Sequence, residues 1–175
     1  MSSHFQPHIE RMAGYVPGEQ PRNGGFIKLN TNENPYPPSE HVVEVLREAI
    51  SHRLRLYPDP DSTAFRQVAA KLHGVEPDMV LAGNGSDDLL TIISRAFVGP
   101  DDLVIYPTPS YILYKTLIDL QNARASLVHY SPDWTLEPDQ FAHPRARLAF
   151  LANPNSPSGT SLSPDQVGLL AAALP

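Results

Sequence analysis

Three short segments hold the residues best suited to chemistry, and each follows an apolar run. The first is Gly83-Asn84-Gly85-Ser86-Asp87-Asp88, between Met79-Val80-Leu81-Ala82 and an amphipathic stretch that ends near Phe97. Two glycines let the backbone turn sharply. A helix opening there aims the free N–H groups of Ser86, Asp87 and Asp88 out of its positive end, which suits an anion. A tight βα turn, with Ser86 as N-cap and two aspartates favoured by the helix dipole, accounts for the same residues. No Gly-Lys-Ser/Thr follows, so the segment is not a P-loop, and its glycine spacing is not the dinucleotide fingerprint. The second segment is Tyr106-Pro107-Thr108-Pro109-Ser110-Tyr111, where Tyr111 either stacks on a flat ligand ring or packs as a rim aromatic. The third is Asn153-Pro154-Asn155-Ser156-Pro157-Ser158-Gly159, a set of amides and hydroxyls. Three such loops on one sheet edge suit a phosphorylated aromatic ligand.

The elements that must position these loops can be read from periodicity. Ser39 is a good N-cap for a helix carrying Val42, Val43, Leu46, Ala49 and Ile50. A second helix, from about Thr63 to His73, lines up Phe65, Val68, Ala69 and Leu72, and Gly74 stops it. Strands are expected at Met79–Ala82, Leu103–Tyr106, Ala125–Tyr130 and Arg147–Leu151, with a short β-like run at Phe26–Leu29. Helices are expected at Asp87–Phe97 and Tyr111–Leu120, and from Ser163 with Pro164 at its first position. Strands alternating with helices indicate an α/β fold with a mostly parallel sheet and flanking helices. The pattern breaks off at Pro175 inside a βα unit, so the domain is expected to be incomplete. Residues 1–38 read as an arm and connecting segment, and 39–175 as the first part of one large domain.

Bulk properties narrow the function classes. The 175 residues are 41% hydrophobic and 18% charged, as in a globular protein, with a formal net charge of -6. No basic stripe is present, which argues against nucleic acid or an anionic membrane as partner. With no cysteine there is no disulfide and no thiolate chemistry. No signal peptide and no long apolar run stand out, so a cytoplasmic, soluble protein is expected. The seven histidines form no His-x-x-x-His pair, and no metal site is expected.

These segments, taken in order, resemble fold-type I pyridoxal-phosphate-dependent aminotransferases of class I/II, and within them the histidinol-phosphate aminotransferase group. Gly14-Tyr15-Val16-Pro17-Gly18, Leu29-Asn30-Thr31-Asn32-Glu33-Asn34-Pro35 and Leu56-Tyr57-Pro58-Asp59 carry the likeness together with the three loops, which covers about Met12 to Pro175. The resemblance implies a pyridoxal 5'-phosphate cofactor and a homodimer with shared active sites. It implies a small-molecule amino donor, histidinol phosphate, and a 2-oxo acid, 2-oxoglutarate, in histidine biosynthesis. It places the amides of Gly85, Ser86 and Asp87 on the cofactor phosphate, with the Asp87 and Asp88 side chains turned away from it. It puts Tyr111 on the pyridine ring and either Asn155 or Ser156 at the ring's 3'-oxygen. Tyr57 is implied to reach a partner's cofactor phosphate, Tyr15 the substrate's phosphate end, and Asn32 the amino-acid moiety.

The chain departs from the family pattern at several positions. Ser156-Pro157-Ser158-Gly159 stands where the family has Asn-Pro-Thr-Gly, Leu56 where it has Arg, and Gly14 where it has Pro. The family's Schiff-base lysine, pyridine-facing Asp and carboxylate-binding Arg lie further along than Pro175. Lys28, Lys71 and Lys115 have none of the right surroundings, so the 175-residue chain alone is expected not to transaminate. A related pyridoxal-phosphate aromatic aminotransferase, decarboxylase or lyase, or a non-catalytic phosphate-binding and dimerising fragment, is the competing expectation.

Overall fold

Over the second half of the chain, strands and helices alternate as the periodicity predicts, and the candidate loops hang from that framework. The computed structural model describes residues 4–13, 27–29 and 32–175. In chain order its helices are α1 (Pro7–Glu10), α2 (Glu40–Ala49), α3 (Thr63–His73), α4 (Ser86–Phe97), α5 (Leu113–Leu120) and α6 (Pro164–Ala172). Its strands are β1 (Leu103–Thr108), β2 (Arg124–His129) and β3 (Ala146–Ala149), and short 3-10 turns lie at His52–Arg55, Pro77–Met79 and Pro138–Phe141. Two compact units result. The described residues within Met1–Gly14 join Gly83–Pro175, and those within Tyr15–Ala82 form the other.

In the first unit the three strands are parallel in the order β2-β1-β3. Leu103 pairs with Arg124 on one side and Ala146 on the other, with a register shift between Leu103 and Val104 on the β3 side. β1 is buried on both faces, which explains its unbroken apolar run. Its side chains alternate between two cores. Val104 and Tyr106 pack with Val98, Tyr114, Leu117, Ile118 and Phe150, whereas Ile105 packs with Val128, Leu136, Phe141 and Leu170. Thus α5 covers one face of β1, and α6 with the Pro138–Phe141 turn covers the other. Tyr114 stacks on Phe150 at 4.7 Å and 6°. Burial raises the phenol pKa of Tyr106, Tyr114 and Tyr130 above the ordinary value. Arg147 on β3 donates from Nε to the Phe97 carbonyl, 3.0 Å away, and so occupies an acceptor at the end of α4. Ser163 and Gln166 form a reciprocal capping box at α6, with Pro164 in the first turn as expected.

In the second unit Ser39 accepts from the Val42 amide and opens α2, and Gly74, at φ 67°, closes α3. Both boundaries match the residue chemistry. The apolar positions of these helices, including Leu46, Phe65, Val68 and Leu72, nevertheless remain exposed. Ala70 is the one buried residue among those described in this unit.

Several expectations are corrected. Met79–Ala82 is not a strand: Met79 ends a 3-10 turn, and Val80 is extended but belongs to none of the three strands. An apolar run favours extended backbone, but only a paired neighbour makes a ladder. Ile27 and Leu29 are exposed and their run lies outside the sheet, while Phe26 lies outside the described residues. α5 begins at Leu113 rather than Tyr111, because Tyr111 sits in the turn that precedes it. A short helix, α1, falls in the predicted arm and lies against α5. Among the described residues, no helix is long and apolar enough to cross a membrane.

Candidate functional site

The turn into α4 is shaped by two glycines for different reasons. Gly85 is the N-cap at φ 83° and ψ 176°, a conformation that glycine alone adopts readily. The helix therefore starts at Ser86 itself, which is not the N-cap. A Cβ on Gly85 would meet nothing within 4 Å, so open space faces the turn. A Cβ on Gly83 would fall 2.9 Å from both Asp88 Oδ2 and Leu89 Cδ2, so those side-chain ends would have to shift to admit one. Asp88 turns back to accept the Asn84 N–H at 2.9 Å. The Gly85 N–H is given to the Gly83 carbonyl at 2.9 Å, inside the turn. Gly85 supplies no side-chain cap, and the amides of Ser86, Asp87 and Asp88 meet no acceptor among the described residues. Three first-turn donors thus face open space at the positive end of a twelve-residue helix.

Tyr111 stands beside this turn. Its hydroxyl donates to both Asp87 carboxylate oxygens, at 3.0 and 3.1 Å, and its ring meets Tyr114 edge-on at 5.8 Å. The Asp87 and Asp88 carboxylates are therefore engaged by Tyr111 and Asn84 respectively.

The loop after β3 closes the group. Asn155 is only 4% exposed, and its Nδ2 donates to the Pro109 carbonyl at 3.3 Å and to Ser158 Oγ at 2.9 Å. Its backbone ties the loop to Thr160 and Gly159 at 2.8 and 2.7 Å, and Gly159 has φ 73°. At the base Asn153 exchanges two hydrogen bonds with the Leu162 backbone. The Thr108–Pro109, Asn153–Pro154 and Ser156–Pro157 peptides are cis. Ser110 Oγ and Asn155 Oδ1 are buried without a hydrogen-bond partner among the described residues. Both amide protons of Asn155 are spent inside the protein, whereas Ser156 is exposed.

Two hydrogen-bond links, Asp87–Tyr111 and Pro109–Asn155, join the three segments at the carboxyl ends of β1 and β3, where open α/β sheets bind ligands. Sequence reasoning found the segments but missed the Asp87 side chain as an acceptor and Ser110 as a buried hydroxyl. The one signal for Asp87 was its sign, since a carboxylate in an anion site needs a partner elsewhere. Nothing in the sequence marked Ser110.

In the other unit Tyr57 is completely exposed, and Asn32 is exposed with φ 52°, which asparagine tolerates. Asp59 is hydrogen-bonded by the Thr63 hydroxyl and by the Thr63 and Asp61 amides, which hold its carboxyl below the usual range. It is a turn and cap carboxylate, as its setting suggests. Tyr15 and the segment around it lie outside the described residues.

The first unit is thus an α/β domain in which open helix-end amides, an aromatic ring and an amide-rich loop gather at the ends of a parallel sheet. The chain belongs to the aminotransferase class I and II family, whose model matches residues 25–174. Histidinol-phosphate aminotransferase of Rhodopirellula baltica is 49% identical over 173 residues, covering 97% of this chain and 48% of the relative. Histidinol-phosphate aminotransferase 1 of Trichormus variabilis is 42% identical over 175 residues, covering 99% and 50%. The crystal structure of histidinol-phosphate aminotransferase from Sinorhizobium meliloti in complex with pyridoxal-5'-phosphate superposes with a TM-score of 0.82 at 23% identity, covering 100% of this chain and 49% of that one. The fold is thus part of the pyridoxal-phosphate-dependent type I transferase fold. The chain spans about half the length of the curated relatives it matches.

Proposed function

We propose that this chain is the cofactor-cradle portion of a pyridoxal-phosphate-dependent aminotransferase that exchanges an amino group between histidinol phosphate and 2-oxoglutarate. The observation that carries the reading is the joined trio of loops, with three unaccepted amides on α4 and Tyr111 beside them. The donor set fits the cofactor: amides for a phosphate, an aromatic face for a pyridine ring, and a hydroxyl at the far loop. Pyridoxal phosphate, when bound, supplies the electron sink for amino-group transfer.

In this reading Ser86 and Asp87 hold the phosphate through their N–H groups, and Tyr111 fixes the ring plane. Gly85 serves by its backbone geometry, which opens the turn, since its own N–H is already given to Gly83. Ser156 donates to the 3'-oxygen, because Asn155 has no donor left and instead holds the loop against Pro109. Tyr57, fully exposed on its own chain, reaches the cofactor phosphate of a second copy in a homodimer. The substrate-binding roles of Tyr15 and Asn32 rest on the family resemblance alone. The donor pair, dimer and cytoplasmic setting rest on the relatives' printed function and the family resemblance.

Calorimetric titration of the full chain with pyridoxal phosphate tests the cradle. Saturable one-site binding, weakened at least tenfold by Gly85→Ala, is expected; no binding by the wild-type chain sinks the reading. For the donor pair, the longer protein is assayed with histidinol phosphate and with phenylalanine. Preference for phenylalanine would overturn the histidinol-phosphate assignment.

A further inference from the structure

We infer that Asp87 is a positioning residue whose carboxylate anchors the Tyr111 ring, so that one residue serves the site through its amide and its side chain separately. The inference deepens the proposed reading and rests on it. A carboxylate in the first turn of α4 lies close to any anion held by the amides of Ser86, Asp87 and Asp88, and its charge opposes that anion. The structure gives this group a specific task. Both oxygens of Asp87 take the Tyr111 hydroxyl, at 3.0 and 3.1 Å, across 24 residues of sequence. Asp88 does not share it, since its Oδ2 is held by the Asn84 amide.

The Tyr111 ring also meets Tyr114 edge-on, 5.8 Å away. Tyr114 is itself fixed by stacking on Phe150. An edge-on contact limits where the ring sits. The bond from its hydroxyl to Asp87 pins the far end of the side chain to the helix that carries the cradle amides. Ring plane and phosphate donors then share one rigid frame. The cost is a negative charge near the anion, partly offset by the hydroxyl proton it receives.

Anchoring and charge separate by substitution. Asp87→Asn keeps an acceptor for the hydroxyl and removes the charge; Asp87→Ala removes both; Tyr111→Phe removes the donor. Two probes read them on the full chain: inorganic phosphate, which has no ring, and pyridoxal phosphate, which has one. The ratio of the two Kd values measures what the ring gains. Asp87→Ala and Tyr111→Phe are expected to lower that ratio by about fivefold to tenfold, the worth of one charge-assisted anchor. Asp87→Asn should tighten both probes together and leave the ratio within about twofold. A purely structural part for Asp87 in capping α4 would move both Kd values alike in Asp87→Ala.

An unchanged ratio in Asp87→Ala, with wild-type binding intact, overturns the anchoring inference. Failure of the cofactor reading looks different, because the wild-type chain then binds neither probe. In that event carbon-13 tyrosine NMR of the unliganded chain still decides the anchor. The Tyr111 ring signals, assigned through Tyr111→Phe, should shift in Asp87→Ala and persist in Asp87→Asn; identical signals in all Asp87 variants would overturn it.

Discussion

Two glycines of the same unit should respond to alanine in opposite directions. Gly85 has φ 83° and ψ 176°, in backbone space that an L side chain reaches only with strain, although a Cβ there touches nothing. Gly168 lies inside α6 in helical backbone, and its Cβ also meets nothing within 4 Å. Sterics are therefore equal and backbone geometry alone separates them. Holding the alanine of Gly85→Ala in the native conformation costs about 1–3 kcal/mol. Unwinding the first turn of α4 as an escape still forfeits a helix start worth about 1 kcal/mol. Gly168→Ala gains about 0.5–1 kcal/mol, because glycine loses more freedom on entering a helix. With a urea slope of about 2 kcal/mol per molar, the midpoints should move by about -0.5 to -1.5 M and +0.25 to +0.5 M. Equilibrium urea unfolding followed by circular dichroism reads both. Equal midpoints for Gly85→Ala and wild type, or a lowered midpoint for Gly168→Ala, would refute reasoning from backbone angles.

Three other outcomes follow from burial and charge. Phe141→Ala, at a side chain 1% exposed, should cost about 3–5 kcal/mol, whereas Leu72→Ala, 79% exposed, should stay within about 0.5 kcal/mol; comparable losses in urea would contradict the assigned core. Burial raises the phenol pKa of Tyr106, Tyr114 and Tyr130, so the folded state keeps protons that the unfolded chain releases. Their stabilisation is whole below about pH 10 and is lost as pH climbs through the raised values; Tyr114→Phe should move the alkaline unfolding midpoint upward, and a downward shift would reverse that sign. Borohydride reduction with pyridoxal phosphate should leave Lys28, Lys71 and Lys115 short of stoichiometric labelling, since Glu33 and Asp119 pair with Lys28 and Lys115; complete labelling of one of them in a peptide map would refute it.

What the sequence reveals here divides by the range of the interaction. Ser39, Gly74, Ser163 and Pro164 act on their own helix within a few residues, and their predicted boundaries agree with the structure. The apolar run of β1 marks a strand buried on two faces, and it is the middle strand. Met79–Ala82 has a similar local signal but finds no paired neighbour among the described residues, which a local reading cannot know. The three candidate loops were legible through glycine, proline and amide chemistry. Their joining was not: Tyr111 finds Asp87 and Asn155 finds Pro109 across 24 and 46 residues. Asn155 and Ser156 are equal candidates on paper, and only burial shows that one has already used its donors.

The strand order carries a consequence in time. β2 pairs with β1 after a separation of some twenty residues, and β3 after some forty. Closing the longer loop costs about 0.6 kcal/mol more in chain entropy, and it cannot begin until that stretch has been synthesised. On a growing chain, then, the wall that bears Tyr111 stands before the wall that bears Asn155. When β3 docks, Asn155 joins its loop to the carboxyl end of β1 through the hydrogen bond it donates to the Pro109 carbonyl.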